Sequence, residues 1–320
     1  MTVPPLRLVV AVNPAAASGR WTAAGDRIVA RVRAAGHDVE LLRAADWPAL
    51  RTMATSAVAD GPRGRVDALV VVGGDGMVHL GVNVVARTRV ALGVVATGSG
   101  NDTARALGLP RGDPDAAVDV LFDALHRGPV TVDAGLATAA DGSRTWFLGA
   151  LSAGFDALVN ERANNLRWPP GRSRYVRALL VELLRLRRIR YRLEIDGVHA
   201  ETDAALVCVA NGPSIGGGMR VAPDALLDDR LFDVLVVQPM SRLAFLRVFP
   251  SVYRGEHLRD PRVRVVRATR VSVDADDVVG YADGERVGPL PLDLELVGGA
   301  VSVLAAPTAP ALTAIPERHS

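Results

Sequence analysis

Two glycine-rich turns and one acidic turn hold the residues best suited to chemistry. Gly73-Gly74-Asp75-Gly76 leaves an apolar run, Ala68–Val72, and enters a helical pattern from Met77 to Ala86. Glycines let a polyanion approach bare backbone, and the helix start adds unsatisfied N–H groups and a positive dipole end. That is chemistry for binding phosphate. Asp75 would repel phosphate, so it fits by holding a metal ion or its waters, or by bonding a hydroxyl. The turn also reads as purely structural, with Asp75 capping the helix. Gly98-Ser99-Gly100-Asn101-Asp102 repeats the arrangement after the apolar run Val90–Val95, and Arg105 lies one turn into the next helix. It opens like a dinucleotide fingerprint, but Thr103 stands where the third glycine belongs, which excludes the dehydrogenase reading. Asn101 and Asp102 also read as helix caps. Asp283-Gly284-Glu285 offers a carboxylate just past a hairpin-type turn, either a proton acceptor or a solvated surface acid. The loop Asn13–Arg20 adds small residues and an Arg suited to phosphate.

Those turns need elements to hold them. Leu6–Val12, Val39–Leu42, Ala68–Val72 and Val90–Val95 read as strands, with helices over Thr22–Ala35 and Pro48–Ala59. Strand, turn and helix in repetition predict an α/β domain with a parallel sheet, whose ligands bind beyond the carboxyl ends of the strands. Past Thr131 the texture changes to short β runs with turns at Asp196-Gly197 and Asp283-Gly284. Helical stretches at Tyr175–Arg188 and Arg242–Tyr253 interrupt them. The expected organisation is an α/β N-terminal domain over residues 1–130, a mostly antiparallel β-sandwich over 131–305, and an Ala/Pro-rich tail over 306–320.

Composition narrows the chemistry. With 49% hydrophobic and 22% charged residues among 320, the chain is globular rather than disordered. All 37 basic residues are Arg, which removes the Walker lysine and Schiff-base catalysis, so a phosphate clamp must use Arg, backbone N–H groups or metal. The single cysteine, Cys208, excludes an internal disulfide and a cysteine-built zinc site. No targeting or spanning segment is read, since the uncharged stretch Val297–Pro316 is broken by Pro307, Pro310 and Pro316, and a cytoplasmic setting is expected. Arg172–Arg192 sets eight arginines against Glu182 alone and interleaves them with leucines. It reads as an amphipathic contact for an anionic membrane surface, or as a surface helix packed on the sandwich. Few aromatics and no binding motif argue against nucleic acid.

Together the motifs resemble a known family. Val12-Asn13-Pro14 with Gly19-Arg20, the Gly-Gly-Asp-Gly turn and Gly98-Ser99-Gly100-Asn101-Asp102 with Ala104-Arg105 stand in the order and spacing of the diacylglycerol kinase catalytic-domain family. That family includes bacterial lipid kinases and sphingosine kinases and is related more distantly to NAD kinase. The likeness continues through Phe147–Ala157, Ala222–Val234 and Asp283-Gly284-Glu285, from about Leu6 to Leu304. It implies an ATP- and Mg²⁺-dependent kinase that transfers the γ-phosphoryl group to a lipid hydroxyl at a membrane surface, on a diacylglycerol-like or sphingoid acceptor. It places Asn13, Gly73, Gly74, Asp75, Gly76, Met77, Val78, His79, Ser99, Asn101 and Arg105 along the nucleotide. Glu285 becomes the proton acceptor, with Asp75 as the second catalytic carboxylate and Asp133 near the cleft. Leu226, Asp229 and Leu231 become a magnesium site of one carboxylate and two backbone carbonyls.

This sequence departs from the pattern at Met77, where a Thr is usual, at His79, where an Asn is usual, and at Arg230, where a Gly is usual in the metal loop. A positive φ at Arg230 would strain that loop. Two other readings stay open. One is a soluble-metabolite kinase of the NAD kinase type, and the other a nucleotide- or lipid-binding protein with weakened catalysis. A homodimer stays open as well.

Overall fold

A computed structural model describes residues 5–13, 22–59, 64–166 and 172–313. The chain divides into two units, Met1–Ala134 with Gly298–Ser320, and Gly135–Val297. In the first unit, β1 (Arg7–Val12), β2 (Asp38–Leu42), β3 (Ala68–Gly73) and β4 (Ala91–Ala96) form a parallel sheet in the order β2-β1-β3-β4. All twelve residues of β3 and β4 are buried, as continuous apolar runs are when a parallel sheet is covered on both faces. Among the described residues the unit also has helices α1 (Thr22–Ala34), α2 (Trp47–Val58), α3 (Asp75–Val85), α4 (Asp102–Ala106) and α5 (Pro114–Arg127). Ile28 and Val32 of α1 join Val118 and Leu121 of α5 over Leu8, Val10, Val70 and Val95 in one core. The loops leaving β3 and β4 open directly into α3 and, five residues past β4, α4, so both glycine turns sit at carboxyl ends of adjacent strands.

The second unit is a sandwich. Its strands are β5 (Val130–Ala139), β6 (Arg144–Phe147), β7 (Ala150–Gly154), β8 (Ile189–Ile195), β9 (Val198–Ala204), β10 (Leu206–Ala210), β11 (Phe232–Val237), β12 (Val263–Ala268), β13 (Arg270–Asp274), β14 (Val279–Ala282), β15 (Glu285–Pro289) and β16 (Leu292–Val303). One antiparallel sheet runs β12-β11-β10-β7-β14-β15, and in the other β16, β13, β8 and β9 succeed one another, with β5 alongside β16 and β6 alongside β5. Strand alternation feeds the core: Tyr191 and Leu193 of β8 are buried while Arg190, Arg192 and Glu194 between and beyond them are not. Phe147 stacks on Phe232 across that core, with ring centroids 5.9 Å apart. The helices α6 (Phe155–Asn165), α7 (Arg172–Arg185) and α8 (Arg242–Val248) share a smaller cluster built on Phe155, Val159, Ala178 and Leu183, with Phe245 packed against it.

The described part of the Ala/Pro-rich tail packs on the first unit. Residues from Gly298 belong to the first unit, because Val303 pairs with Leu92, the Ala306 N–H donates to Leu107 O at 3.1 Å and the Ala311 N–H to Ala106 O at 3.2 Å. Small alanines, not only turn-formers, fill this stretch, and Ala305, Ala306, Ala309 and Ala311 are buried. Among the described residues no helix is long and apolar enough to cross a membrane.

Candidate functional site

The two glycine turns of the first unit are locked together. A Cβ on Gly98 would sit 2.4 Å from the Gly74 Cα, so the backbones touch and Gly98 does not tolerate a side chain, while one at Gly74 would press on Gly98 at 3.1 Å. Asp75 closes the lock: one carboxylate oxygen accepts the Asn101 N–H and the other the Asp102 N–H, each at 2.8 Å. Those two amides begin α4, so Asp75 acts across the gap as a cap for the neighbouring helix as well as opening α3 itself. Asn101 takes the left-handed conformation, φ 56°, which Asn tolerates better than most residues. Its side chain then brackets the turn, accepting the Gly98 N–H at 3.1 Å and donating to Gly98 O at 2.7 Å.

Within this frame the expected nucleotide residues separate into two sets. Met77 is 1% exposed and its Cγ lies 2.3 Å from where a Gly73 Cβ would stand, so Met77 points into the core and obliges glycine at 73. Val78 is buried too, and the Met77 and Val78 amides donate to Gly74 O. The amide of Gly76, in the first turn of α3, has no acceptor inside the helix. Ser99 is exposed at the tip of the second turn, and His79 is partly buried one turn into α3. The Asn13 N–H donates to Val72 O at 3.2 Å, bringing the end of β1 beside Gly73, while the loop at 14–20 lies outside the described residues. Arg105 pairs with Asp102 at 2.6 Å and reaches Gly100 O at 3.4 Å, holding the far side of the turn. Asp133 is buried and accepts the Gly299 N–H at 2.8 Å.

The second unit carries an analogous carboxylate that the sequence presents as a mere turn residue. Asp283, at φ 52°, accepts the amides of Leu148 at 3.0 Å, Gly149 at 2.8 Å and Ala150 at 3.2 Å. Two residues on, Glu285 is exposed, and its carboxylate makes no hydrogen bond or ion pair among the described residues. Behind it, Arg286 Nε lies 3.5 Å from Glu161 of α6, which also accepts the Tyr281 hydroxyl at 2.5 Å.

At the loop before β11, Asp229 accepts the Leu231 N–H at 3.1 Å with one oxygen and the guanidinium of Arg267 with the other. Arg230 between them has φ 63°, so a side chain occupies the left-handed position where the motif expects glycine. Asp233 is buried beside this pair, and burial pushes its carboxyl up, an effect Arg267 opposes and Asp229 and Asp224 reinforce.

Comparison with known proteins fits this arrangement. Residues 7–135 match the family model for the diacylglycerol kinase catalytic domain, and residues 149–305 match that for the YegS C-terminal NAD kinase beta sandwich-like domain. A Mycobacterium tuberculosis protein named diacylglycerol kinase is 38% identical over 299 residues, spanning 93% of this chain and 94% of its own. The chain belongs to the diacylglycerol kinase family. A Bacillus subtilis relative of the same name is 30% identical over 74% of this chain and 77% of its own. In fold, the chain is similar to a diacylglycerol kinase structure from Bacillus anthracis, with TM-score 0.70, 22% identity and 95% and 98% of the two chains covered. A yeast NADH kinase structure shares the fold more distantly, with TM-score 0.53, 12% identity and coverage of 94% and 82%.

The magnesium site that the family pattern implies at Leu226, Asp229 and Leu231 does not fit these residues. The one carboxylate of the set already has both oxygens engaged, one of them by a guanidinium whose positive charge would oppose a divalent ion.

Proposed function

We propose that this member of the diacylglycerol kinase family is an ATP-dependent lipid kinase acting on a diacylglycerol-type alcohol. The observation that carries the reading is the interlocked pair of turns, Gly74 against Gly98 with Asp75 bonded to the Asn101 and Asp102 amides. It fixes bare backbone at the ends of two adjacent parallel strands, where the N-terminus of α3 favours a triphosphate. Asp75 works as the positioning residue of that cradle. ATP arrives with its own magnesium as substrate. The acceptor hydroxyl oxygen bonds to the γ-phosphorus, the bond to the β-phosphate breaks, ADP leaves, and the hydroxyl proton passes to Glu285. An exposed, unengaged carboxylate held two residues past the Asp283 clamp is suited to that transfer.

The helices support a lipid acceptor. Leu180 and Leu184 of α7 are 53% and 65% exposed, and Leu243 and Leu246 of α8 are 71% and 50% exposed. The one acid of the Arg172–Arg192 segment, Glu182, is turned inward against Arg162 at 2.5 Å. Arg188, Arg190 and Arg192 lie on β8 or just before it and pair with Asp203, Glu201, Asp274 and Asp276, while Arg177 on α7, Arg185 at its end and Arg187 just past it are exposed. Leucines rimmed by arginine suit an anionic membrane face, which brings the enzyme to its acceptor.

The test is transfer of radiolabelled γ-phosphate to diacylglycerol in mixed micelles. Glu285→Gln is expected to lower turnover by ~10²–10⁴-fold while ATP binding by calorimetry stays put. Full transfer by that variant would remove Glu285 from the mechanism, and no transfer to any lipid by the native chain would remove the lipid kinase reading itself.

A further inference from the structure

The loop of Asp229 carries a cation, and that cation is covalent. Arg267 on β12 stands directly opposite Asp233 of β11 in the strand register. From there its guanidinium donates to Asp229, and its Nε lies 4.0 Å from Asp233. Both carboxylates are largely withdrawn from water, with 17% and 11% of their side chains exposed. A planar, permanently charged fork held by strand pairing can serve two carboxylates at once, which suits arginine and not lysine. Asp229 spends its other oxygen on the Leu231 amide inside its own loop, at 3.1 Å. The loop holds a left-handed residue at Arg230, φ 63°, although a Cβ is present.

We infer that the guanidinium of Arg267 replaces the divalent metal at the Asp229 loop, so that this loop is held shut by a built-in charge and needs no bound ion. A chelator therefore has nothing to remove there, whereas loss of the arginine leaves two crowded carboxylates that a divalent cation would relieve. Magnesium carried by ATP is a separate matter, so the measurement is made without nucleotide.

Thermal unfolding of the full chain is monitored in a chelator and in millimolar magnesium. The native chain is expected to melt at the same temperature in both. Arg267→Gln is expected to melt several degrees lower in chelator and to regain part of that loss in magnesium, because an ion that binds only the folded state raises its melting temperature. Arg267→Lys, which keeps a charge without the fork, is expected to fall less, and it carries the comparison if the Gln variant does not fold. The inference is overturned if chelation lowers the melting temperature of the native chain and magnesium restores it. It is overturned equally if Arg267→Gln matches the native chain in chelator, since the guanidinium would then be holding nothing.

Discussion

Asp75 and Asp283 occupy different turns in different units, one leading from strand to helix and one a hairpin, yet they do the same mechanical work. Each stands beside glycine and accepts successive backbone amides from a segment distant in sequence: Asn101 and Asp102 for Asp75, Leu148 to Ala150 for Asp283. Their surroundings then diverge. Past Asp75 comes the N-terminus of α3, with glycine backbone and a positive dipole end, a place for anions. Past Asp283 comes Glu285, a negative group in open solvent. On the proposed function, one device thus serves opposite electrostatic ends, a phosphate cradle in one unit and a base in the other. The aspartate in each motif shapes the turn, and the proposed function gives the chemistry to the residues immediately C-terminal to it.

Removing the clamps is the largest way to break that parallel. Asp75→Ala leaves two buried amides at the start of α4 without their acceptor, a loss of about 2–4 kcal/mol of stability. A cradle displaced by an ångström is expected to lose transfer by ~10²-fold, with ATP affinity falling in step. Asp283→Ala should lose comparable stability and transfer, yet leave ATP affinity at its native value by calorimetry. If both variants weaken ATP binding equally, the division of labour between the two turns is wrong.

Met77 sharpens the account of the cradle. Read from sequence, the missing hydroxyl at 77 would cost a phosphate contact. In the fold the side chain is buried against Gly73 and cannot reach a ligand. Met77→Thr should therefore destabilise the chain by about 2 kcal/mol through lost packing, with no gain in ATP affinity. Tighter ATP binding in that variant would return position 77 to the site.

How legible each feature is in the sequence depends on how it is encoded. β3 and β4 announce themselves because both faces are covered and every residue is apolar. The sequence reading passes over α5, although Asp113 caps it by accepting the Asp115 and Ala116 amides, Pro114 opens it and Gly128 ends it at φ 88°. Those signals are local and lie in plain view. By contrast β9 exposes its first four residues, Val198 to Glu201, and locally only the Asp196-Gly197 turn before it hints at its pairing with β8. The same limit hides the partners of the key carboxylates. Asp75 is recognisable as important, yet its acceptor role depends on amides 26 and 27 positions away, and Asp229 meets Arg267 at a separation of 38. Residue type reveals that a group matters, while its partner is set by topology.

A third carboxylate provides the gentlest probe, because it is neither a clamp nor a presented base. Asp156 opens α6, accepting the Ser152 hydroxyl at 2.8 Å and the Asn160 amide at 3.4 Å, and burial pushes its carboxyl above the usual 3.8 in spite of the hydroxyl. A group whose folded pKa stands above its free value supports the fold fully only below that free value, and the support is lost as pH rises through the folded pKa. Asp156→Asn removes the titration while keeping an acceptor oxygen for Ser152. The variant should melt above the native chain at alkaline pH, and the gap should close as pH falls below the free value. A variant less stable by the same amount at every pH would mean that the geometry of the hydrogen bonds, and not the burial of charge, decides the energy at this helix start, and that Asp156 belongs with the clamps after all.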